Sequence, residues 1–253
     1  MRSRREVNSR VVIIAADHGV GDGGAQAALD AAMDTGSSLS VAVRMAGATA
    51  LFVDAGVIGG ARAGDVIAVR GGDGCGDIRR APAMTVDAAE ECYAAGLALA
   101  QALCEDDIDA MAVGCIGSGG GIAGRAIVGH LIGAKAEAGG RGWDVARTAM
   151  ARVRGRSLSP GELLAQLGGF DIAVLAGVIA GAAEVTVVLD DIATWAAAMI
   201  AGPGAASVRL GHHGTDPHAR AAVAGRFGPP IFAASLGSGD GTGAALALSA
   251  LRR

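Results

Sequence analysis

The chain has 253 residues, a net charge of −4, 51% apolar but only 3% aromatic residues, and 42 glycines. That is enough for one α/β domain with a core of Ala, Val, Leu and Ile, and it is too apolar for disorder. It lacks the basic stripe of a nucleic-acid binder, and its longest apolar run, IAVLAGVIAGAA at 172–183, is too short for a membrane span.

The basic start MRSRREVNSR leads straight into VVIIAA at 11–16, without a signal peptide's cleavage region, so a cytoplasmic protein is expected. VVIIAA reads as a buried parallel strand ending at Asp17-His18-Gly19. Residues 25–46 are Ala-rich and helical in pattern, interrupted by Gly36. ATALFVDAG at 48–56 is a second strand, and 59–80 reads as a glycine-rich loop. TVDAAEECYAAGLALAQAL at 85–103 is a helix with Thr85 as N-cap.

IDAMAVG at 108–114 is a third strand, running into the glycine loop and helix of CIGSGGGIAGRAIVGHLIG. Residues 143–167 read as two helices broken near Ser159-Pro160. A helix over 168–183 leads to a strand at 185–191, whose carboxyl end carries Asp190 and Asp191. Residues 192–201 are helical up to Gly202-Pro203, ASVRLG at 206–211 and PPIFAAS at 229–235 read as two more strands, and the last helix begins at Thr242. Alternating strands and helices give an α/β, Rossmann-like three-layer domain with a mostly parallel sheet, and residues 1–253 read as one domain. In such sheets ligands bind beyond the carboxyl ends of the strands, where Asp17, Asp54, Gly114, Asp190 and His212 fall.

Four stretches carry candidate chemistry. GCIGSGGGIAGR at 114–125 follows a strand and opens a helix, so Gly117, Ser118, Gly119, Gly120 and Gly121 are placed either to receive a phosphate or to make a plain turn. No GK[ST] follows, and the dinucleotide fingerprint fails at Ile122, so no cofactor is expected. Asp17 and His18 suit acid–base or orienting roles, or a hydrogen-bonded strand end. GHHGTDPHAR at 211–220 holds His212, His213, Asp216 and His218 without the spacing of a zinc motif, and reads as a surface turn around Gly214 and Pro217. The cysteines, Cys75, Cys92, Cys104 and Cys115, form no CxxC pair, so free thiols and no metal are expected. Finally, Asp240 lies between Gly239 and Gly241. Either it makes a turn at the helix start, or Thr242 is the cap and Asp240 faces a ligand.

In chain order, IIAADHGV, FVDAGV, APAMTVDAAEE, AVGCIGSGGG, GGFDIAVLAGVIAGAAEVTVVLDD, GHHGTDPHA and SGDGTGAALAL together resemble the nicotinate-nucleotide–dimethylbenzimidazole phosphoribosyltransferase (CobT) family. The resemblance runs from about residue 11 to the end, and PAMT, GGFDIA and GTGAALAL are its most specific pieces. It implies a Rossmann-like homodimer acting on nicotinate mononucleotide and an aromatic base, with the glycine loop at the phosphate. It also implies a general base at Asp240, where the family has the glutamate of GEGTG. Asp17, His18, Asp190, His212, Asp216, Gly239, Gly241 and Thr242 then join the substrate site.

This chain departs from the family's pattern at several of these positions. Asp240 is shorter than glutamate by one methylene, about 1.5 Å of reach. Cys115 stands where the family has the glutamate of GEMGIGNTT, Gly120 and Gly121 replace its Asn and Thr, and Asp191 replaces a glycine. By the resemblance, the segment from Val20 to Gly36 is shorter than the family's, and no counterpart of the family's N-terminal helical region is expected. Two other readings therefore stand beside the transferase. One is a catalytically silent relative that binds a nucleotide or a protein. The other is a related transferase for a different base.

Overall fold

The computed structural model describes residues 7–62, 64–133, 140–202, 207–236 and 239–251. The basic start up to residue 6 and Pro203 lie outside them. The elements in chain order are β1 (Ser9–Ala16), α1 (Ala25–Met33), α2 (Ser38–Ala46), β2 (Thr49–Gly56), β3 (Val66–Ala68), α3 (Val86–Glu105), β4 (Ala110–Ile116) and α4 (Gly120–Leu131). There follow α5 (Arg141–Arg152), α6 (Pro160–Leu167), α7 (Phe170–Gly181), β5 (Thr186–Leu189), α8 (Ile192–Ala201), β6 (Ser207–Leu210), α9 (Pro217–Phe227) and α10 (Thr242–Leu251). The strands form one sheet in the order β3-β2-β1-β4-β5-β6, and every pairing is parallel.

The reason for a three-layer arrangement is visible in β1. Val11, Ile13 and Ala15 point into one core with α1, α2 and α10, while Val12, Ile14 and Ala16 point into another beneath α7 and α8. Both sets are fully buried, as the unbroken apolar run requires of a strand covered on both faces. Helix α7 is buried on almost all sides because it lies between the sheet and α3.

Thin side chains let α3 and α7 approach almost backbone to backbone. A Cβ on Gly177 would run into Tyr93 O and come within 2.9 Å of the Leu97 nitrogen, and one on Gly96 would run into Val174 O. Gly177→Ala is accordingly expected to destabilise the protein by about 1–3 kcal/mol, read as a lower urea midpoint with an unchanged m-value.

Local signals placed most boundaries. Thr85 accepts from the Ala88 N–H at 3.1 Å, and Ser159 with Glu162 makes a full capping box ahead of Pro160. Three expectations are corrected. PPIFAAS is not a strand: Pro229 and Pro230 lack N–H donors, and the stretch meets the sheet end through an isolated bridge, His212 to Phe232, and backbone bonds from Ile231 to Leu210 O, Phe232 to Gly211 O and His213 to Ala234 O. The sixth strand is instead β3, three residues inside the stretch read as loop, paired along Phe52–Asp54 of β2. The stretch around Asp216 is not a surface turn, because His212 and Asp216 are 0% and 2% exposed and Asp216 caps the unforeseen helix α9.

Candidate active site

From β1 the chain winds outward through β2 and β3, then returns to β4 on the other side of β1. The loops leaving β1 and β4 therefore diverge and open a crevice at the carboxyl edge of the sheet. Asp17 and His18 follow β1 there, and Gly117 to Gly119 follow β4.

The glycine loop needs its glycines. Gly117 and Gly119 have φ of 138° and 104°, in the region that disfavours side chains. A Cβ on Gly117 would overlap Ala16 O, and one on Gly119 would lie 2.7 Å from His18 Cβ. The loop thus lies flat on the end of β1 and delivers α4 with Gly119 as its N-cap. Gly120 and Gly121 begin the helix, where backbone N–H groups have no intrahelical acceptor and the dipole favours an anion. These two glycines, Gly117, Cys115, Arg125 and Thr215 border a cavity of about 200 Å³. Arg125 is held in place by Asp216 Oδ2, which accepts from its Nε at 2.7 Å, and by Gly121 O, which accepts from Nη1 at 3.0 Å.

The aspartates at the strand ends are clasps. Asp17 accepts the N–H groups of Ala25 and Ile58, both at 2.9 Å. Asp54 accepts those of Val57 and Ala61, and pairs with Arg70 at 3.1 Å. Asp191 caps α8 and accepts the Thr215 hydroxyl at 2.6 Å. Asp216 takes the N–H groups of His218 and Ala219 on one oxygen, and Arg125 and Trp143 on the other. Asp190, 0% exposed, accepts Gly241 N–H at 3.0 Å, Ala244 N–H at 2.8 Å and His212 Nε2–H at 3.1 Å. His212 Nδ1 accepts from the Gly214 N–H at 2.9 Å, which places the ring hydrogen on Nε2. Asp17, Asp190, His212 and Asp216 thus stand beneath the crevice with their polar atoms engaged.

Asp240 differs. Its Oδ1 accepts the Thr242 N–H at 2.9 Å, while Oδ2 has no partner among the described residues. The half-buried carboxylate borders a second cavity of about 410 Å³, whose walls include Ala28, Ala31 and Leu39 from α1 and α2. The two cavities share Cys115 and Gly117. Thr242 is not the cap: it is the first helical residue, and its buried hydroxyl finds no partner among the described residues. Asp190 satisfies the helix start from across the sheet. Gly241 has φ of 95° and its backbone packs on Gly114, so these glycines serve a close chain crossing as well as the cavity wall. Gly239 lines the smaller cavity, whereas Ser118 turns to the loop after β1 and accepts the Asp22 N–H at 3.1 Å.

Beneath the loop lies a pair of which the sequence reading named only one member. His18 Nε2 meets Asp171 Oδ2 at 3.0 Å, with both side chains 1% exposed. Burial opposes the His18 charge, but Asp171 and then Asp17 outweigh it and raise the pKa above 6.5. The Cys115 thiol is pushed well up, first by burial and then by the Asp171 charge and its hydrogen bond. Cys115 is therefore a thiol at neutral pH, donating to Asp171. Alkylation of Cys115 by iodoacetamide is expected to be slow at pH 7 and to quicken as pH rises past the range of an ordinary thiol, as followed by peptide mass spectrometry. Arg125, Thr215 and Asp171 were absent from the expected site, although Arg125 and Asp171 lie inside the stretches GCIGSGGGIAGR and GGFDIA. Among the described residues, no group of three His, Cys, Asp or Glu side chains is arranged to hold a metal ion. No described helix is long and apolar enough to cross a membrane.

A family model described as phosphoribosyltransferase matches residues 2–253. The nicotinate-nucleotide–dimethylbenzimidazole phosphoribosyltransferase of Roseiflexus sp. (strain RS-1) is 33% identical to this chain over 97% of it and 77% of the relative. The chain belongs to the CobT family. The enzyme of the same name from Chloroflexus aggregans is 32% identical over 94% of this chain and 75% of its own length. The crystal structure of CobT from Thermus thermophilus superposes with a TM-score of 0.86 at 26% identity, over 98% of this chain and 83% of that one. Both cavities lie at the carboxyl end of β4: the smaller is closed by Asp191 and Ile192 after β5 and by Thr215, the larger by α1 and α2, with the glycine loop bordering both and Asp240 the larger.

Proposed function

We propose that this phosphoribosyltransferase-family protein moves the phosphoribosyl group of nicotinate mononucleotide to a benzimidazole-type base, giving an α-ribazole phosphate. One observation supports the reading: Asp240, whose Oδ2 is unengaged among the described residues, borders a cavity that adjoins, through Cys115 and Gly117, the cavity at the start of α4. The phosphate fits the α4 end, where the N–H groups of Gly120 and Gly121 and the Arg125 guanidinium meet. The base fits the larger, alanine-walled side.

In this arrangement the base nitrogen attacks C1′ as the bond to nicotinate breaks on the opposite face. The bond electrons return to the pyridine nitrogen, which leaves neutral. Asp240 takes the proton that the attacking azole loses. No covalent enzyme intermediate is needed, and catalysis reduces to positioning and one proton transfer. Incubation of the full chain with nicotinate mononucleotide and dimethylbenzimidazole, analysed by chromatography and mass, is expected to yield ribazole phosphate and nicotinate. Release of neither product, with bound mononucleotide still detectable by calorimetry, would instead indicate a silent nucleotide-binding relative.

A further inference from the structure

The geometry points to His18 as a positioning residue that sets the glycine loop, and through it the anion-binding end of α4, from beneath. Three contacts place it there. Its Cβ closes off the space behind Gly119, where an added Cβ would come within 2.7 Å. Its Nε2 and Asp171 Oδ2 lie 3.5 and 3.1 Å from the Cβ position of Gly120. Its own backbone is tied on both sides: the His18 carbonyl accepts Gly21 N–H at 2.8 Å, and the flanking Gly19 and Asp17 bond the two sides of Cys75. The Asp22 N–H, a little further on, donates to Ser118 in the loop itself. The imidazole thus spans from the end of β1 to α7, and the first residues of α4 rest on it.

The ring is also more than packing. A histidine that served only to fill space would need no buried carboxylate, yet Asp171 is 1% exposed and faces it at 3.0 Å. The titratable groups around it are Asp17 from the end of β1, Asp171 on α7, Cys75 and Cys115. Both thiols are raised in pKa and stay neutral, and Asp171 followed by Asp17 favours the charged form of the ring against its burial. Nδ1 is buried without a partner among the described residues, so the ring's hydrogen bonding there is to Asp171. A charged ring directly under Gly120 holds Asp171 by a charge-assisted bond and adds positive potential at the α4 end. Because the folded-state pKa is raised, this contribution is complete below 6.5 and is lost as pH rises through the folded value.

The kinetic arm of the test rests on the proposed phosphoribosyl transfer, and the exchange arm does not. By hydrogen exchange, His18→Ala is expected to speed the amides of residues 117–124 about tenfold or more while leaving α10 unchanged, and His18→Gln, whose amide can keep the bond to Asp171, to restore most of the protection. Unchanged exchange in 117–124, or an equal rise throughout the chain, would overturn the inference. In steady-state assays His18→Ala is expected to raise the mononucleotide KM about tenfold, several times more than it changes kcat or the KM of the base. In the unmutated protein the mononucleotide KM is expected to rise about threefold as pH passes the folded His18 value, and in His18→Gln to stay flat. A loss of kcat at constant KM, or the same pH profile in His18→Gln, would sink the idea. If the unmutated protein makes no product, the transfer reading fails. The exchange arm and calorimetric titration with nicotinate mononucleotide then decide the inference, which expects binding weakened about tenfold in His18→Ala and overturns on equal affinity.

Discussion

Asp240→Ala is expected to lower kcat by about 10²–10⁴-fold, the usual contribution of a positioned general base, with little change in the mononucleotide KM. The side chain has two separable tasks. Oδ1 accepts the Thr242 N–H at 2.9 Å and fixes the carboxylate, while Oδ2 is unengaged among the described residues and the residue borders the larger cavity. Asp240→Asn keeps an oxygen for Thr242 and removes the basic one, so it is expected to fold normally and still lose most activity. Asp240→Glu, despite restoring the residue type of the family, is expected to be about tenfold slower than the unmutated protein. Its extra methylene breaks the Thr242 clasp and carries the acceptor past the position this pocket is built around. Steady-state kinetics with both substrates checks all three. An Asp240→Ala protein that kept kcat within about threefold would remove Asp240 from the chemistry.

Asp190→Ala has the opposite character: a stability effect first, with activity lost as a consequence. The substitution leaves the N–H groups of Gly241 and Ala244 and the Nε2–H of His212 without an acceptor in a site that is 0% exposed. At about 1–3 kcal/mol for each buried unsatisfied donor, the loss is of order 3 kcal/mol or more. That is a large share of the roughly 5–15 kcal/mol that holds a typical domain together. Chemical denaturation is expected to show a larger midpoint shift than Gly177→Ala. Asp190→Asn is expected to recover only part of it, since one oxygen is replaced by a donor that faces donors. Because α10 then loses its anchor beside Asp240, the variant is also expected to lose activity in proportion to its unfolded or locally opened fraction. Asp240→Ala, which removes one half-buried bond, is expected to leave the midpoint nearly unchanged. The two aspartates are thereby separable: one shifts the denaturation curve and the other shifts kcat.

Residue type and local pattern determined much of this protein. The apolar run before Asp17-His18 sufficed to place a strand buried on both faces, and Thr85 and Ser159-Pro160 marked helix starts through bonds made within four residues. Motif order along the chain pointed to the family and to Asp240. The short strand Val66–Ala68 escaped because it is held by pairing with β2 and not by its own composition. The helix after Asp216 escaped because the same Asp-Pro pair opens turns and helices alike, and only the contacts of Asp216 with Arg125 and Trp143 select the helix. The roles of the carboxylates were decided last. Asp17, Asp190, Asp216 and Asp240 are indistinguishable as letters near strand or loop ends. What separates them is how many donors reach each one, and for Asp190 those donors come from positions 22 to 54 residues away. The sequence could name the acids at the edge of the sheet. Only the folded chain brings N–H groups, near and distant, to the other oxygens of that set and leaves Asp240 Oδ2 unengaged among the described residues.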